Sequence, residues 1–397
     1  MDFALPSDLA ALRVEIRSFM DSHVLPKEKD IIREDAAGEE SLLKQLQEAA
    51  RKAGLFVPHL PPEYGGRGLG ILGMCTLFRE MGRSPVGARV FNCDAPDQGN
   101  MDLLLQKASA ALRERWLRPL AKGEVTSSFC MTEPAPGAGA DPSNLLTRAV
   151  RDGATWRIDG HKWYSTGGGR ASFLIVMART SDDARAGATL FVVDRRASGV
   201  THVRDIPTLG PDLLAHREAE FRFEGVHVAD EAILGSVGEG FQLAQARLVP
   251  ARLTHCMRWL GLADRTLELC KAYLTTRISF GKLLAQHQAM QAMVFDAATA
   301  IHAGNLMTWH CAWLLAQGRT KEARPYASIA KTHVARTLCT VLDNAIQMHG
   351  ALGYSEDVPF SLWYRSARAA RIADGPDEVH LGVVARDYLM GRLPLLV

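Results

Sequence analysis

Asp374 opens the run Asp-Gly-Pro-Asp-Glu (Asp374, Gly375, Pro376, Asp377, Glu378), a carboxylate on a turn whose Gly and Pro shape the backbone. Placed over a weakly acidic C–H, such a carboxylate can act as a general base, provided that donors meet the charge that develops elsewhere. A second group, FCMTEPAPGAGAD (129–141), is rich in small residues, so its backbone N–H groups can approach a phosphate or an electron-rich ring edge. It is not a dinucleotide fingerprint, because no G-x-G-x-x-G follows a strand and opens a helix, and no G-K-[ST] closes it as a P-loop. A third, GHKWYSTGGG (160–169), puts an aromatic pair and two hydroxyls at a strand end, a set suited to stacking on and hydrogen-bonding a flat heteroaromatic ring. Taken singly, each has a plainer reading as a turn, a long connection or core-and-rim packing.

The elements that must position these groups fall into three stretches. Residues 1–125 have helical periodicity, with Leu9, Leu12, Ile16, Phe19 and Met20 recurring at three- and four-residue steps after Ser7, a candidate N-cap, and Pro26 ending the first helix. Residues 126–235 break into short β-branched and aromatic runs punctuated by Gly and Asp, without intervening helical patterns. That predicts a compact antiparallel barrel or sandwich, not βαβ units. Residues 236–397 return to long helical segments, about 239–276 (with Pro250 an expected kink), 287–317, 321–348 and 378–390, which predict a four-helix bundle.

Composition narrows the function. Lys plus Arg number 46 against 44 Asp plus Glu, a net charge of +2, which argues against a nucleic-acid groove or a polybasic membrane patch. No apolar run approaches a membrane span, and the acidic, Pro-broken start lacks the features of a signal peptide, so a cytoplasmic protein is expected. The 7 cysteines are scattered singly with no C-x-x-C pair, so neither a disulfide framework nor a metal site is expected. Arg365, Arg368 and Arg371 recur every third residue and read as a solvated or subunit-facing stripe; Met290 and Met293 read as helix packing. His255 and Cys256 are adjacent on a helix and point apart, which argues against a catalytic thiolate pair.

Three further segments complete a pattern: RISFGKLLAQHQ (277–288), QMHGALGY (347–354) and RIADGPDEVH (371–380). Together with the two above, in this order, they resemble the acyl-CoA dehydrogenase family, whose usual forms are MTEPGAGSD, K-x-W-x-[ST], R-x-x-FG-[KR]-x(5)-Q, Q-x-x-GG-x-G and Y-E-G-T-x-E. PPEYGG (61–66) is similar to the family's N-terminal loop, so the resemblance covers essentially the whole chain. FNCDAPDQGNM, ARLTHCMRWLG and RIADGPDEVHL resemble, more narrowly, the branch typified by family members ten and eleven.

The resemblance implies an N-terminal helical domain, a middle β domain and a C-terminal bundle that bind FAD between them. It implies that Phe129, Met131 and Thr132 line the isoalloxazine, that Tyr164, Ser165 and Thr166 close its other edge, and that Pro376, Asp377 and Glu378 border it. Arg277, Ser279, Phe280 and Gln288, with Gln347 and Gly350, would reach the cofactor of a partner subunit, making a homo-oligomer, dimer or tetramer, part of the site. The turn after MTEP is two residues longer than usual and Ala140 replaces a customary Ser, so the N–H groups of Gly139 and Ala140 are expected on the pyrophosphate. The implied reaction is α,β-dehydrogenation of an acyl-CoA, with electrons passed to an electron-transfer flavoprotein. Asp374 stands where relatives carry a glutamate base, Gly375 adjoins the substrate, and Arg252 faces the acyl-CoA. Two competing readings keep the fold: a nitroalkane-oxidase type of oxidase or monooxygenase, and a non-catalytic flavoprotein that binds acyl-CoA or DNA.

Overall fold

The computed structural model describes residues 4–183, 187–209 and 217–394. The first domain is helical: α1 (Ser7–Phe19), α2 (Glu28–Ala36), α3 (Ser41–Lys52), α4 (Ile71–Met81), α5 (Gly87–Val90), α6 (Asp97–Lys107), α7 (Ala110–Leu112) and α8 (Arg118–Ala121). Its first helix begins at Ser7 with Pro6 in the capping position. Pro26 lies in a short 3-10 turn, after which the chain resumes a helix at Glu28.

The second domain holds β1 (Ser127–Cys130), β2 (Arg148–Asp152), β3 (Thr155–Thr166), β4 (Phe173–Arg179), β5 (Ala188–Asp194), β6 (Val200–Ile206), β7 (Glu218–Ala229) and β8 (Ile233–Leu234) in one sheet of order β6-β7-β3-β2-β4-β5-β8, with β1 beside β4. The sheet is mixed, a correction to the purely antiparallel expectation: β1 runs parallel to β4, pairing Ser127 with Phe173 through Cys130 with Val176. The reason is topological, since the β2–β3 hairpin lies between them and brings the chain back in the original direction.

Strand β4 is apolar at consecutive positions because both of its faces are covered. Phe173, Ile175 and Met177 join the large core shared with the helices, whereas Leu174, Val176 and Ala178 join a second core with Phe191, Phe221 and Phe223. Trp116 packs against Phe173 in a tilted arrangement, centroids 4.8 Å apart at 36°, and ties the first domain to the sheet.

The third domain is the bundle: α9 (Gly240–Leu274), α10 (Gln288–Ala316), α11 (Thr320–His349), α12 (Phe360–Ala367) and α13 (Asp377–Leu389), with a small β9–β10 hairpin (Ile278–Ser279, Lys282–Leu283) after α9. Helix α9 is continuous through Pro250. Met290 and Met293 pack against the core.

Two glycines let α4 and α9 touch backbone to backbone. A Cβ on Gly82 would meet Arg258 Cα at 2.3 Å, and one on Gly261 would meet Arg79 O at 2.0 Å. Paired guanidinium–carboxylate contacts flank this crossing, Arg79 on Asp264 (2.6 and 2.9 Å) and Arg83 on Glu268 (2.8 and 2.7 Å). Among the described residues no helix is long and apolar enough to cross a membrane.

Candidate active site

Asp374 sits on the connection into α13 in the left-handed region, φ 54°, a conformation Asp tolerates better than most side chains, and Gly375 follows at φ 104°. Glycine is required there twice over, since a Cβ would also meet His380 Nε2 at 2.9 Å. Side chains from three helices hold the turn. Arg252 Nε on α9 donates to Asp374 O (2.9 Å), Lys331 Nζ on α11 donates to Gly375 O (2.7 Å), and His380 Nε2 on α13 lies 3.3 Å from Asp374 O. The position of the carboxylate is therefore dictated by the bundle.

Burial pushes the Asp374 carboxyl up, but the adjacent His255 ring and the cations Arg247, Arg252 and Lys331 together outweigh it and hold the group below the usual aspartate value. Its Oδ2 is buried without a hydrogen-bond partner. Burial also lowers Lys331, to about 8, and Arg252 and Arg247 in direction. An ionised, under-bonded carboxylate held rigidly among cations can accept a proton from a substrate laid against it.

Arg252 is 9% exposed and its Nε is engaged by the turn, so it positions Asp374 as well as bordering the site, a role sequence reading did not give it. Asp377 is 1% exposed and accepts from Arg336 Nε and Arg371 Nε, both at 2.9 Å. Its carboxylate anchors α13 and does not face outward. Arg371 is thereby taken out of the supposed arginine stripe. Pro376 precedes the helix, and Glu378 in its first turn is exposed.

The facing wall comes from the sheet. Phe129 and Cys130 end β1, and Met131 and Thr132 follow, with Thr132 O accepting from Trp163 N (3.0 Å). A buried pair fixes this corner: Lys162 Nζ, fully buried, donates to Met131 O and to Glu133 Oε1, both at 2.9 Å. The Glu133 carboxylate also accepts the amides of Ala138 (3.1 Å), Leu146 (2.7 Å) and Thr147 (2.8 Å). Burial opposes its charge, but Lys162 and these donors bring it down to about 2. The Gly-rich loop thus wraps around one carboxylate and leaves Gly139 and Ala140 exposed, with no atom within 4 Å of a Cβ on Gly139.

On β3, Tyr164 is half-exposed at φ 48°, in the bulge of the β3–β7 pairing. Thr166 Oγ1 donates to Glu218 (3.1 Å). Ser165 is buried, its hydroxyl beside the Cys130 thiol without a well-formed hydrogen bond. Cys130 belongs to the second core, so the Ser165 hydroxyl faces that core and not the open edge. The exposed Tyr164 ring, the part-exposed Thr166 hydroxyl and the open backbone at Gly139 and Ala140 leave an edge that fits a flavin.

Arg247 stands between the two walls. Its Cζ lies 4.4 Å from the Phe129 ring centre, its Nε donates to Asn100 Oδ1 (2.9 Å), and its charge acts on Asp374. Glu133, Lys162, Arg247, Lys331, His255 and His380 are the residues sequence reading missed. A cavity of about 440 Å³ between α10, α11 and α13 shares His380 with the turn but does not include Asp374.

Arg277, Ser279, Phe280, Gln288, Gln347 and Gly350 form a separate group. Arg252 and Arg277 are 25 positions apart along and just beyond α9, which at 1.5 Å per residue is roughly 37 Å. Within one chain they do not join the Asp374 site. They are near one another: the Tyr273 and His349 rings stack at 4.3 Å, and His287 Nε2 lies 3.1 Å from Ser279 O. Phe280 is 96% exposed at φ 52°, and Arg277, Gln288, Gln347 and Gly350 are also exposed.

Comparisons with known proteins agree with this architecture. The chain matches the Acyl-CoA dehydrogenase N-terminal domain over residues 6–124, the middle domain over 128–226 and the C-terminal domain over 238–389. It is 38% identical to "Probable acyl-CoA dehydrogenase FadE2" of Mycobacterium tuberculosis, covering 98% of this chain and 97% of that protein. It is 33% identical to "Acyl-CoA dehydrogenase family member 11" of Rattus norvegicus over 95% of this chain, which spans about half (50%) of that longer relative.

A putative acyl-CoA dehydrogenase from Mycobacterium abscessus superposes with TM-score 0.92 at 36% identity, covering 98% of this chain and 100% of that one. Butyryl-CoA dehydrogenase from Megasphaera elsdenii and a chain of the structure described as "Electron transferring flavoprotein of Acidaminococcus fermentans" each give a TM-score of 0.86 at 26% identity, covering 98% of this chain and 100% of theirs. The chain belongs to the acyl-CoA dehydrogenase family, whose members are FAD-dependent oxidoreductases acting on CH–CH bonds.

Proposed function

We propose that this chain dehydrogenates an acyl-CoA thioester to the trans-2-enoyl-CoA, with Asp374 as the base for the α-proton and an electron-transfer flavoprotein as the electron acceptor. The observation that carries the reading is the part-exposed Asp374 carboxylate, its Oδ2 buried without a hydrogen bond, on a turn pinned by Arg252 and Lys331 and among charges that favour its ionised form. FAD, when bound, accepts the β-hydrogen as hydride. The chain supplies the rest.

The thioester α-carbon loses its proton to Asp374 while the α,β double bond forms, and the two electrons leave with the β-hydrogen, so charge and atoms balance. Charge developing on the thioester oxygen needs donors, and the Asp374 N–H, which donates to no acceptor among the described residues, is placed on the same turn to meet it. Arg252 and Lys331 hold that turn so that base and donor keep their relative positions, and a misplacement of about 1 Å costs on the order of 10²-fold in rate. Lys162 and Glu133 hold the opposite loop for the isoalloxazine, with Phe129, Met131, Thr132, Tyr164, Thr166 and the Ser165 backbone along its edge. Arg277, Ser279, Phe280, Gln288, Gln347 and Gly350 serve the cofactor of a neighbouring subunit. The exposure of Arg277, Phe280, Gln288, Gln347 and Gly350, with Arg277 roughly 37 Å along the helix from Arg252, supports that assignment.

The test is anaerobic mixing of holoprotein with acyl-CoAs of graded chain length, with a nitroalkane as the competing arm. At least one acyl-CoA is expected to bleach the flavin band in the wild type. Asp374→Asn, which suits the left-handed backbone equally well, should keep FAD and lose about 10²- to 10⁴-fold in the bleaching rate. Bleaching by the nitroalkane alone would refute the dehydrogenase reading.

A further inference from the structure

Asp374 Oδ2 takes no hydrogen bond, and facing it at 3.5 Å is Nε2 of His255 on α9. That is longer than the ~2.7–3.2 Å of a formed N–H···O bond, so a small rotation of the carboxylate completes it.

What Nε2 carries is decided on the other side of the ring. His255 Nδ1 lies 3.1 Å from Nη2 of Arg258, and a guanidinium has donors only. Nδ1 must accept, which places the proton of a neutral imidazole on Nε2, pointing at Asp374. Burial first, then Arg258, lowers His255 to about 4, so the ring is neutral at pH 7 and acts as an N–H donor, not as a cation.

The lock is anchored in turn. Arg258 Nη1 donates to Cys93 O (3.1 Å) and its Nε lies 3.5 Å from Asp94 Oδ1, both from the first domain. The His255 ring stacks on Trp259, centroids 5.2 Å apart at 23°. The Arg258 backbone is fixed by close contact with Gly82 at the α4–α9 crossing, and its guanidinium by Cys93 O and Asp94.

We infer that His255 is a positioning residue for the proton-abstracting carboxylate: its Nε2–H, oriented by Arg258 against Asp94, aims Asp374 Oδ2 and favours its ionised form. The inference rests on the role given to Asp374 above. Full charges also face the site: Arg247 from α9, Arg252 from α9 and Lys331 from α11 act on Asp374, while Arg258 and Arg247 lower His255 and the Asp374 carboxylate itself and Asp94 raise it. His380 of α13 meets the Asp374 carbonyl, not its carboxylate. These cations persist when His255 is replaced. What is lost is the one directional donor.

Two variants separate aim from packing. His255→Phe keeps a ring for Trp259 and has no donor, whereas His255→Gln presents an acceptor to Arg258 and a donor to Asp374. Flavin reduction by an acyl-CoA that bleaches the wild type is followed by anaerobic stopped flow from pH 3.5 to 9, a range that reaches the acid limb of a carboxyl held below the usual aspartate value, beside FAD content and melting temperature. His255→Phe is expected to lose about 10- to 10²-fold in limiting rate and to move the acid limb of the profile upward, with acyl-CoA affinity unchanged, while His255→Gln stays within about 3-fold of wild type.

A fall in rate with no movement of the limb, or equal impairment in both variants, overturns the inference while leaving Asp374 its role. An inert wild type overturns both. A measurement needing no folded variant is the ¹⁵N spectrum of the histidine rings in holoprotein. It is expected to show His255 protonated at Nε2 only, and the Nδ1–H form would overturn the inference.

Discussion

Replacing Lys162 by Met should loosen the Gly-rich loop after β1, the loop proposed to face the flavin, more than any single change on its surface. Lys162 Nζ is wholly buried and makes two hydrogen bonds of 2.9 Å, to Met131 O and Glu133 Oε1. Met preserves the volume of the stem but leaves Glu133, 3% exposed, charged with no cation beside it and leaves Met131 O unpaired. Burial already holds the Lys162 ammonium below its usual value, whereas Glu133 is stabilised as an anion. Intact, then, the pair is worth less than its attraction suggests, and the penalty for breaking it falls on the stranded carboxylate.

Removing one partner of a buried pair costs about 3–5 kcal/mol. With an unfolding entropy of about 2.1 cal/mol/K per residue over 397 residues, that is a fall of roughly 4–6 °C in melting temperature if the chain unfolds as a unit. Differential scanning fluorimetry reads the melting temperature, and the ratio of flavin to protein absorbance reads FAD retention, which should fall with it. A variant melting within about 1 °C of wild type with full FAD would show that the loop is held by something else.

Three other outcomes follow from the same contacts. Asp374→Glu should slow flavin reduction by about 10- to 10²-fold, because one extra carbon (~1.5 Å) must fit on a turn whose carbonyls are already taken by Arg252 and Lys331; a rate at or above wild type in stopped flow would refute the fit. Acid stability should depend on Glu133: its pKa is depressed from 4.5 to about 2, so its contribution, on the order of 3 kcal/mol, is present above pH 4.5 and is lost as pH falls toward 2. Urea unfolding between pH 3 and 7 should accordingly be flatter with pH in Glu133→Gln, and an unchanged slope would remove Glu133 from the account. Phe280→Ser should lower FAD retention and the oligomer fraction on size exclusion without harming the isolated fold, since the ring is 96% exposed within one chain; unchanged retention would count against a shared cofactor site.

The helices were legible because their apolar residues repeat at helical steps over long stretches, as in α10 and α11. Strand β4 was legible as a strand, but its parallel pairing with β1 was not, since only the intervening hairpin decides the direction of return. The turn at Asp374 could be picked out because Gly and Pro follow it. Its supports could not: Arg252 and Asp374 are 122 positions apart, and Lys331 and Gly375 are 44 apart. Lys162 and Glu133 meet only once β3 forms beside the loop.

His255 was weighed solely against its neighbour Cys256. Its true partners, Arg258 one turn on and Asp374 across the bundle, depend on how α9 docks against α4 through Gly82 and Gly261. The Asp377 carboxylate pairs with Arg336 of α11 and with Arg371, contacts invisible in the local motif.

The base assignment is tested most directly by proton exchange alone. Holoprotein is incubated in D₂O with an acyl-CoA analogue bearing sulfur in place of the β-carbon, so that no hydride can leave, and deuterium at the α-carbon is followed by mass spectrometry. Wild type should incorporate deuterium, and Asp374→Asn, with FAD and analogue both bound, should do so at least about 10²-fold more slowly. Equal incorporation by the two proteins would contradict the assignment of the α-proton to Asp374.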